Sequence, residues 1–156
     1  MRVTMTKHIY DYLANHMMYI HHQKLNMIKG YSLDYDSYMG MLSFLNGYIK
    51  KLEQLIDNAI ITAGEDCPPI MIIGSTAVIR RDGVETEYGI ILPCGGHLSR
   101  QRPGAMVLTA GTPAADALLF KTVGEEVFLE TFDQNGNIDR IIYDSIFDSE
   151  QYAASF

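Results

Sequence analysis

A chain of 156 residues with 47% hydrophobic content can bury one substantial core or two small ones. No apolar run approaches the roughly 20 residues needed to cross a bilayer, and the amphipathic start, Met1-Arg-Val-Thr-Met-Thr-Lys-His8, is unlike a secretory leader. The net charge of −7 is lopsided: residues 1–62 carry six Lys/Arg against five Asp/Glu, and residues 63–156 carry six against fourteen. So acidic a second half disfavours strong independent DNA binding and favours a protein partner. Cys67 and Cys94 lie far apart without metal spacing, which accords with a reducing cytoplasm.

Residues about 5–62 read as a helical hairpin. Tyr10, Leu13, Met17, Ile20 and Met27 follow three-four spacing in the first arm, interrupted by Lys24. Leu45, Ile49, Leu52, Ile56 and Ala59 follow it in the second, as in the seam of an antiparallel coiled coil. In the turn between them, Gly30 can close the first helix and Asp36 or Ser37 can cap the second. Arms of this size would project roughly 35–40 Å. Two helices packed down on a globular domain is the alternative.

Glu65-Asp-Cys-Pro-Pro69 cannot continue a helix and marks a boundary, giving domains 1–66 and 67–156. Beyond it the texture turns to β. Strands are expected at Ile70–Ile79, Val84–Leu92 and Ala105–Thr109, with a hairpin turn at Arg81-Asp-Gly83. A short helix follows, capped by Thr112 and started by Pro113, with Ala117, Leu118 and Phe120 on its apolar face and Val123-Gly124 at its end. Strands 127–132 and 138–143 complete the set, joined by a turn at Gln134-Asn-Gly-Asn137, and the tail after Phe147 reads as loose. The fold class is α+β: a helical hairpin, then an antiparallel sheet of four or five strands with one helix on its face.

The stretch from Thr112-Pro113 through Ala117-Leu-Leu119 and Lys121 to Val123-Gly124 resembles the "SP-x-G-x-ALLGK-x-VGD" signature of the GreA/GreB transcription elongation factors. Phe120 stands where the signature has Gly, and Glu125 where it has Asp. Gly74-Ser-Thr76 is similar to the family's "G-S/A-T-V" strand, and Asp82-Gly-Val-Glu-Thr-Glu-Tyr88 to its "dGee-x-tYrIV" hairpin. Phe44, Gly47, Ile49-Lys50, Glu53 and Asn58-Ala59 match in the second arm. The first arm is shorter than in the standard factors, as in the smaller relative Rnk. The resemblance implies an FKBP-like second domain that docks on bacterial RNA polymerase, and a hairpin that enters its secondary channel. Acidic residues at the hairpin tip would help hold a polymerase Mg²⁺ while the polymerase cleaves backtracked nascent RNA. The factor would be no enzyme and hold no cofactor or metal of its own; it would lend hard oxygen ligands to another active site.

The tip departs from the family's "D-L-x-E-N-A-E-Y". Ungapped alignment from the second arm places the two working acids on Ile28 and Tyr31, which cannot bind Mg²⁺. Asp34 and Asp36 are the acids that could substitute; otherwise Asp36 is a cap and Asp34 a turn residue. Tyr31, Tyr35, Lys50 and Lys51 are candidate contacts to polymerase or RNA. The expected function is regulation of elongation at the secondary channel, with or without stimulation of cleavage. A channel-occupying inhibitor is the alternative. A peptidyl-prolyl isomerase would rest on shared fold alone, which does not fix function. His16, His21 and His22 read as exposed polar residues rather than a metal site, and Cys94 and His97 as parts of a loop; Arg100 and Arg102 could touch a partner.

Overall fold

The computed structural model describes residues 3–30, 35–63, 69–92, 104–129 and 134–143, with the backbone alone for residues 26–30, 35, 37 and 134. It divides into two compact units between residues 67 and 68.

The first unit comprises β1 (Val3–Thr6), α1 (Lys7–Gly30), α2 (Tyr35–Asp57) and β2 (Ala59–Thr62). Thr6 Oγ1 accepts from Ile9 N at 3.3 Å, satisfying one of the exposed amides that open α1. Only four residues separate the helices, so α2 turns back along α1 as an antiparallel hairpin. Ile9, Tyr12, Leu13, His16, Tyr19 and Ile20 form the buried stripe of α1, and Leu45, Tyr48, Ile49 and Leu52 that of α2. The stripe of α1 is rotated from the expected seam: Leu13 and Ile20 are buried, but Tyr10 and Met17 are only half-buried. Large aromatic side chains at Tyr12 and Tyr19 take the buried positions.

The ends of the hairpin depart from the helical reading of 5–62. Asn58 closes α2, its backbone N and side-chain Nδ2 donating to Gln54 O at 3.1 and 2.8 Å. The chain then becomes β2, and Ala59 pairs with Val3 in a parallel ladder instead of extending the seam. Branched residues on both segments, Val3, Thr4 and Thr6 against Ile60, Ile61 and Thr62, favour extended backbone.

The second unit holds a five-stranded sheet in the order β5-β4-β3-β7-β6. Its strands are β3 (Thr76–Arg81), β4 (Val84–Ile91), β5 (Met106–Thr109), β6 (Glu126–Leu129) and β7 (Gln134–Ile142), and α3 is Pro113–Leu118. The hairpin between β3 and β4 turns at Asp82 and Gly83, with φ of 50° and 77°, the pair of positive angles that a tight hairpin of this hand requires. The pairing of β4 with β5 is parallel, so the sheet is mixed rather than wholly antiparallel.

Two expected elements are displaced. The run from Ile70 to Ile73 is buried but is not a strand: only Ile70 bridges, to Thr122. Gly74, at φ 91°, breaks the extension, and Ser75 Oγ turns back to donate to Ile72 O at 2.6 Å. The expected turn at Asn135-Gly136 lies inside β7, where Asn135 pairs with Phe128 and Gly136 with Val127. Gly136 is used for close approach: a Cβ there would overlap Ile79 Cγ2 and press on Arg80 O at 3.4 Å. The ladder of β3 with β7 shifts register nearby, between Val78 and Ile79.

Gly136→Ala is therefore expected to destabilise the second unit by about 1–3 kcal/mol through overpacking. Chemical denaturation checks this; an unchanged midpoint would show that Ile79 yields freely.

Candidate functional site

In the hairpin, His16 is fully buried, contrary to its expected exposure. Its Nε2 and the Tyr48 hydroxyl share a 2.7 Å hydrogen bond across the helices. The rings meet edge to face with centroids 5.7 Å apart, and Phe44 stacks on Tyr48 at 6.0 Å. Desolvation by burial lowers the His16 pKa to about 3, so the imidazole is neutral at ordinary pH. A directional bond inside an apolar seam disfavours sliding of one arm past the other. The signal was present in the sequence: His16 sits four residues from Tyr12 and Ile20 on one helical face.

The tip residues are placed only in part. Tyr31 and Asp34 lie outside the described residues, and Tyr35 is described as the backbone that begins α2. Asp36 is exposed in the first turn of α2, inside the helix rather than at its cap, where a carboxylate interacts favourably with the helix dipole. Lys50 and Lys51 are both exposed, on the side of α2 away from Tyr48, Ile49 and Leu52. His21 is exposed and its Nε2 stands 3.9 Å from Glu53 Oε1. Cys67, Cys94, His97, Arg100 and Arg102 lie outside the described residues. Among the described residues no group of three or more His, Cys, Asp or Glu is placed to hold a metal, and no helix is long and apolar enough to cross a membrane.

In the second unit, the stretch carrying the signature is built as its residues imply at the start and differently at the end. Thr112 caps α3: its Oγ1 accepts from Ala115 N at 3.4 Å and donates to Thr109 O at 2.7 Å. Pro113 occupies the first turn, and Ala114, Ala115 and Leu118 are buried. The helix stops at Leu118, well before Val123-Gly124. Phe120 lies beyond it at φ 67°, a left-handed conformation that glycine adopts freely and that costs other residues about 1–2 kcal/mol. This is the position where the resembling signature carries Gly, a residue that adopts such a conformation without cost.

Neighbouring bonds hold that shape. Phe120 N donates to Met71 O and Met71 N to Lys121 O, both at 2.8 Å. Thr122 Oγ1 donates to Pro69 O at 3.1 Å, and Glu125 Oε2 accepts from Thr122 N at 2.6 Å. The Tyr143 hydroxyl, its pKa raised by burial, accepts from Ile70 N at 2.9 Å and donates to Ile70 O at 2.6 Å. Elsewhere, Arg80, Glu85, Asp139 and Arg140 form an exposed ion-pair network across three strands. Hydrogen bonding from Arg80 is the main cause that lowers the Glu85 pKa, and such exposed pairs are weak.

No family model matches this chain, and no curated protein matches it. Among solved structures it is similar to the GreA factor homolog 1 (Gfh1) of Thermus thermophilus, with 16% identity and a TM-score of 0.40, over 90% of this chain and 99% of that one. It is also similar to Gfh1 of Thermus aquaticus, with 18% identity and a TM-score of 0.40, over 90% and 98% of the two chains. At these values the likeness assigns no residue a role.

Two outcomes are expected. Because the His16 pKa is lower in the folded chain than the ordinary 6.5, the unfolded chain takes up a proton first as pH falls. The associated stability is full above pH 6.5 and is lost between 6.5 and about 3, by up to about 1.4 kcal/mol per pH unit. Melting followed at several pH values should show this slope, and His16→Gln should flatten it; identical slopes would contradict the assignment. Separately, Phe120→Gly should be more stable than Phe120→Ala by about 1 kcal/mol. Equal denaturation midpoints would argue against a left-handed residue 120.

Proposed function

We propose that this chain is a Gre-type regulator of transcription elongation that binds bacterial RNA polymerase, its hairpin directed into the secondary channel and its second unit docked at the entrance. The observation that carries the reading is the join of signature and geometry at residues 112–124. A Thr-capped, Pro-started helix ends in a left-handed residue at the position of the signature's Gly, where a chance match of letters would have no reason to keep that backbone. The antiparallel hairpin of α1 and α2, which has the form of a channel-probing element, supports it independently.

In this reading the chain has no catalysis of its own. Its first effect is occupancy of the channel, with Tyr31, Tyr35, Lys50 and Lys51 as contacts to polymerase or nascent RNA. Stimulated cleavage is the further activity that Asp34 and Asp36 would add, by offering carboxylate ligands to a Mg²⁺ held by the polymerase. The exposure of Asp36 in the first turn of α2 favours this version, because its carboxylate is open to a ligand outside the chain.

Stalled, backtracked elongation complexes with end-labelled RNA test the proposal. The expected result is faster release of short 3′ fragments in the presence of the chain and Mg²⁺. Asp34→Ala combined with Asp36→Ala should abolish that release while polymerase affinity stays within about twofold, because the acids act on the metal rather than in docking. Binding without release would leave a channel-occupying inhibitor, and equal loss of binding and release in the double variant would count against the metal role.

A further inference from the structure

We propose that the outer edge of β2 is a contact surface for a second copy of this chain, the two β2 strands pairing antiparallel about a two-fold axis. The sheet of the first unit has the order β1-β2 and no further strand, so among the described residues nothing pairs with that edge. Which backbone groups face outward follows from the register. Val3 lies opposite Ala59, and Val3 N donates to Asn58 O at 3.0 Å. In a parallel ladder such a residue makes both its bonds to the residues that flank its partner. Val3 and Met5 therefore face Asn58, Ile60 and Thr62, and the N–H and C=O groups of Ala59 and Ile61 point away from β1.

Open strand edges are ordinarily blunted by charge, proline or a bulge. Ala59-Ile-Ile-Thr-Ala63 carries no charge and no proline, and its ladder with β1 runs without a shift of register. Ile60 is 42% exposed and Ile61 50%, on opposite faces of the strand. The segment is also close to a palindrome about Ile61, the pattern that a two-fold contact needs. Paired antiparallel, Ile61 exchanges both its outward bonds with Ile61 of the second copy, Ile60 lies opposite Thr62, and Ala59 opposite Ala63. The partial positive charge of each Ile61 N–H thus meets the partial negative charge of a C=O, and no charged side chain in the segment faces its own copy. Branched residues opposite one another are favourable cross-strand neighbours. So short a contact makes a weak and reversible dimer. Self-association through β2 is independent of any action on polymerase.

Sedimentation equilibrium of the intact chain tests this, for the wild type, Ile61→Lys, Ile61→Glu and an equal mixture of the two variants. Between about 10 µM and about 1 mM the wild-type mass should rise from one chain toward two and no further. Each variant alone places like charges opposite each other and should raise Kd roughly tenfold or more, whereas the mixture places Lys against Glu and should associate within about threefold of the wild type. A second measurement needs no variant: hydrogen exchange of the Ile61 amide should slow as the wild type is concentrated, while that of Ile60, already bonded within the ladder, should not change. A wild type that stays at one chain mass throughout would overturn the contact, as would a Lys variant that associates like the wild type. A mass that climbs past two chains, or a mixture that stays monomeric, would overturn the two-fold pairing at Ile61.

Discussion

The second unit depends on one short buried segment, Pro69 to Ser75, and on the hydrogen bonds it exchanges with its surroundings. Ile70, Met71, Ile72 and Ile73 are all buried, so their peptide groups must find partners within the protein. Met71 takes its two from Phe120 and Lys121, Ile70 takes both from the Tyr143 hydroxyl, and Ile72 closes on Ser75. That one segment thereby ties α3, the end of β7 and the start of β3 together. The left-handed backbone of Phe120 follows from it, since the bonds to Met71 over-determine a conformation that the residue alone would avoid.

The hairpin obeys the same logic with side chains in place of backbone. Its seam is mainly apolar, and within it His16 meets Tyr48, both buried. A neutral imidazole is tolerated there in part because the phenol satisfies its Nε2, and the pair is directional where leucines are not. At the other end the parallel ladder of β1 with β2 ties the chain entering α1 to the chain leaving α2. The hairpin is thus tied at its base by backbone and along its length by the contact of His16 with Tyr48.

Much of this was legible in the residues, and the failures have identifiable causes. Thr112-Pro113 and Asp82-Gly83 were readable because caps and tight turns act through local chemistry. Asn135-Gly136 misled for the same reason: the pair has the composition of a turn, but Gly136 is there for the space beside Ile79, a tertiary fact. The branched run at Ile70–Ile73 looked like a strand because burial and β propensity share the same residues. His16 sits at four-residue spacing from Tyr12 and Ile20, the pattern of a buried face, but the polarity of an imidazole argues for exposure until its partner, 32 residues away, is known. Of the tip, Asp36 is placed in the first turn of α2. In the proposed reading Asp34 and Asp36 act on a metal site in another protein, which no pattern within this chain encodes.

The second unit is organised by the buried segment before β3, and the hairpin carries a buried polar contact between His16 and Tyr48. In the proposed reading the second unit docks and the hairpin reaches. The most direct measurement is binding of the intact chain to purified core RNA polymerase, followed by anisotropy with and without a peptide or factor already occupying the secondary channel. Saturable one-to-one binding that the occupant abolishes is the predicted result. Absence of binding, or binding indifferent to the occupant, would contradict a channel-directed factor.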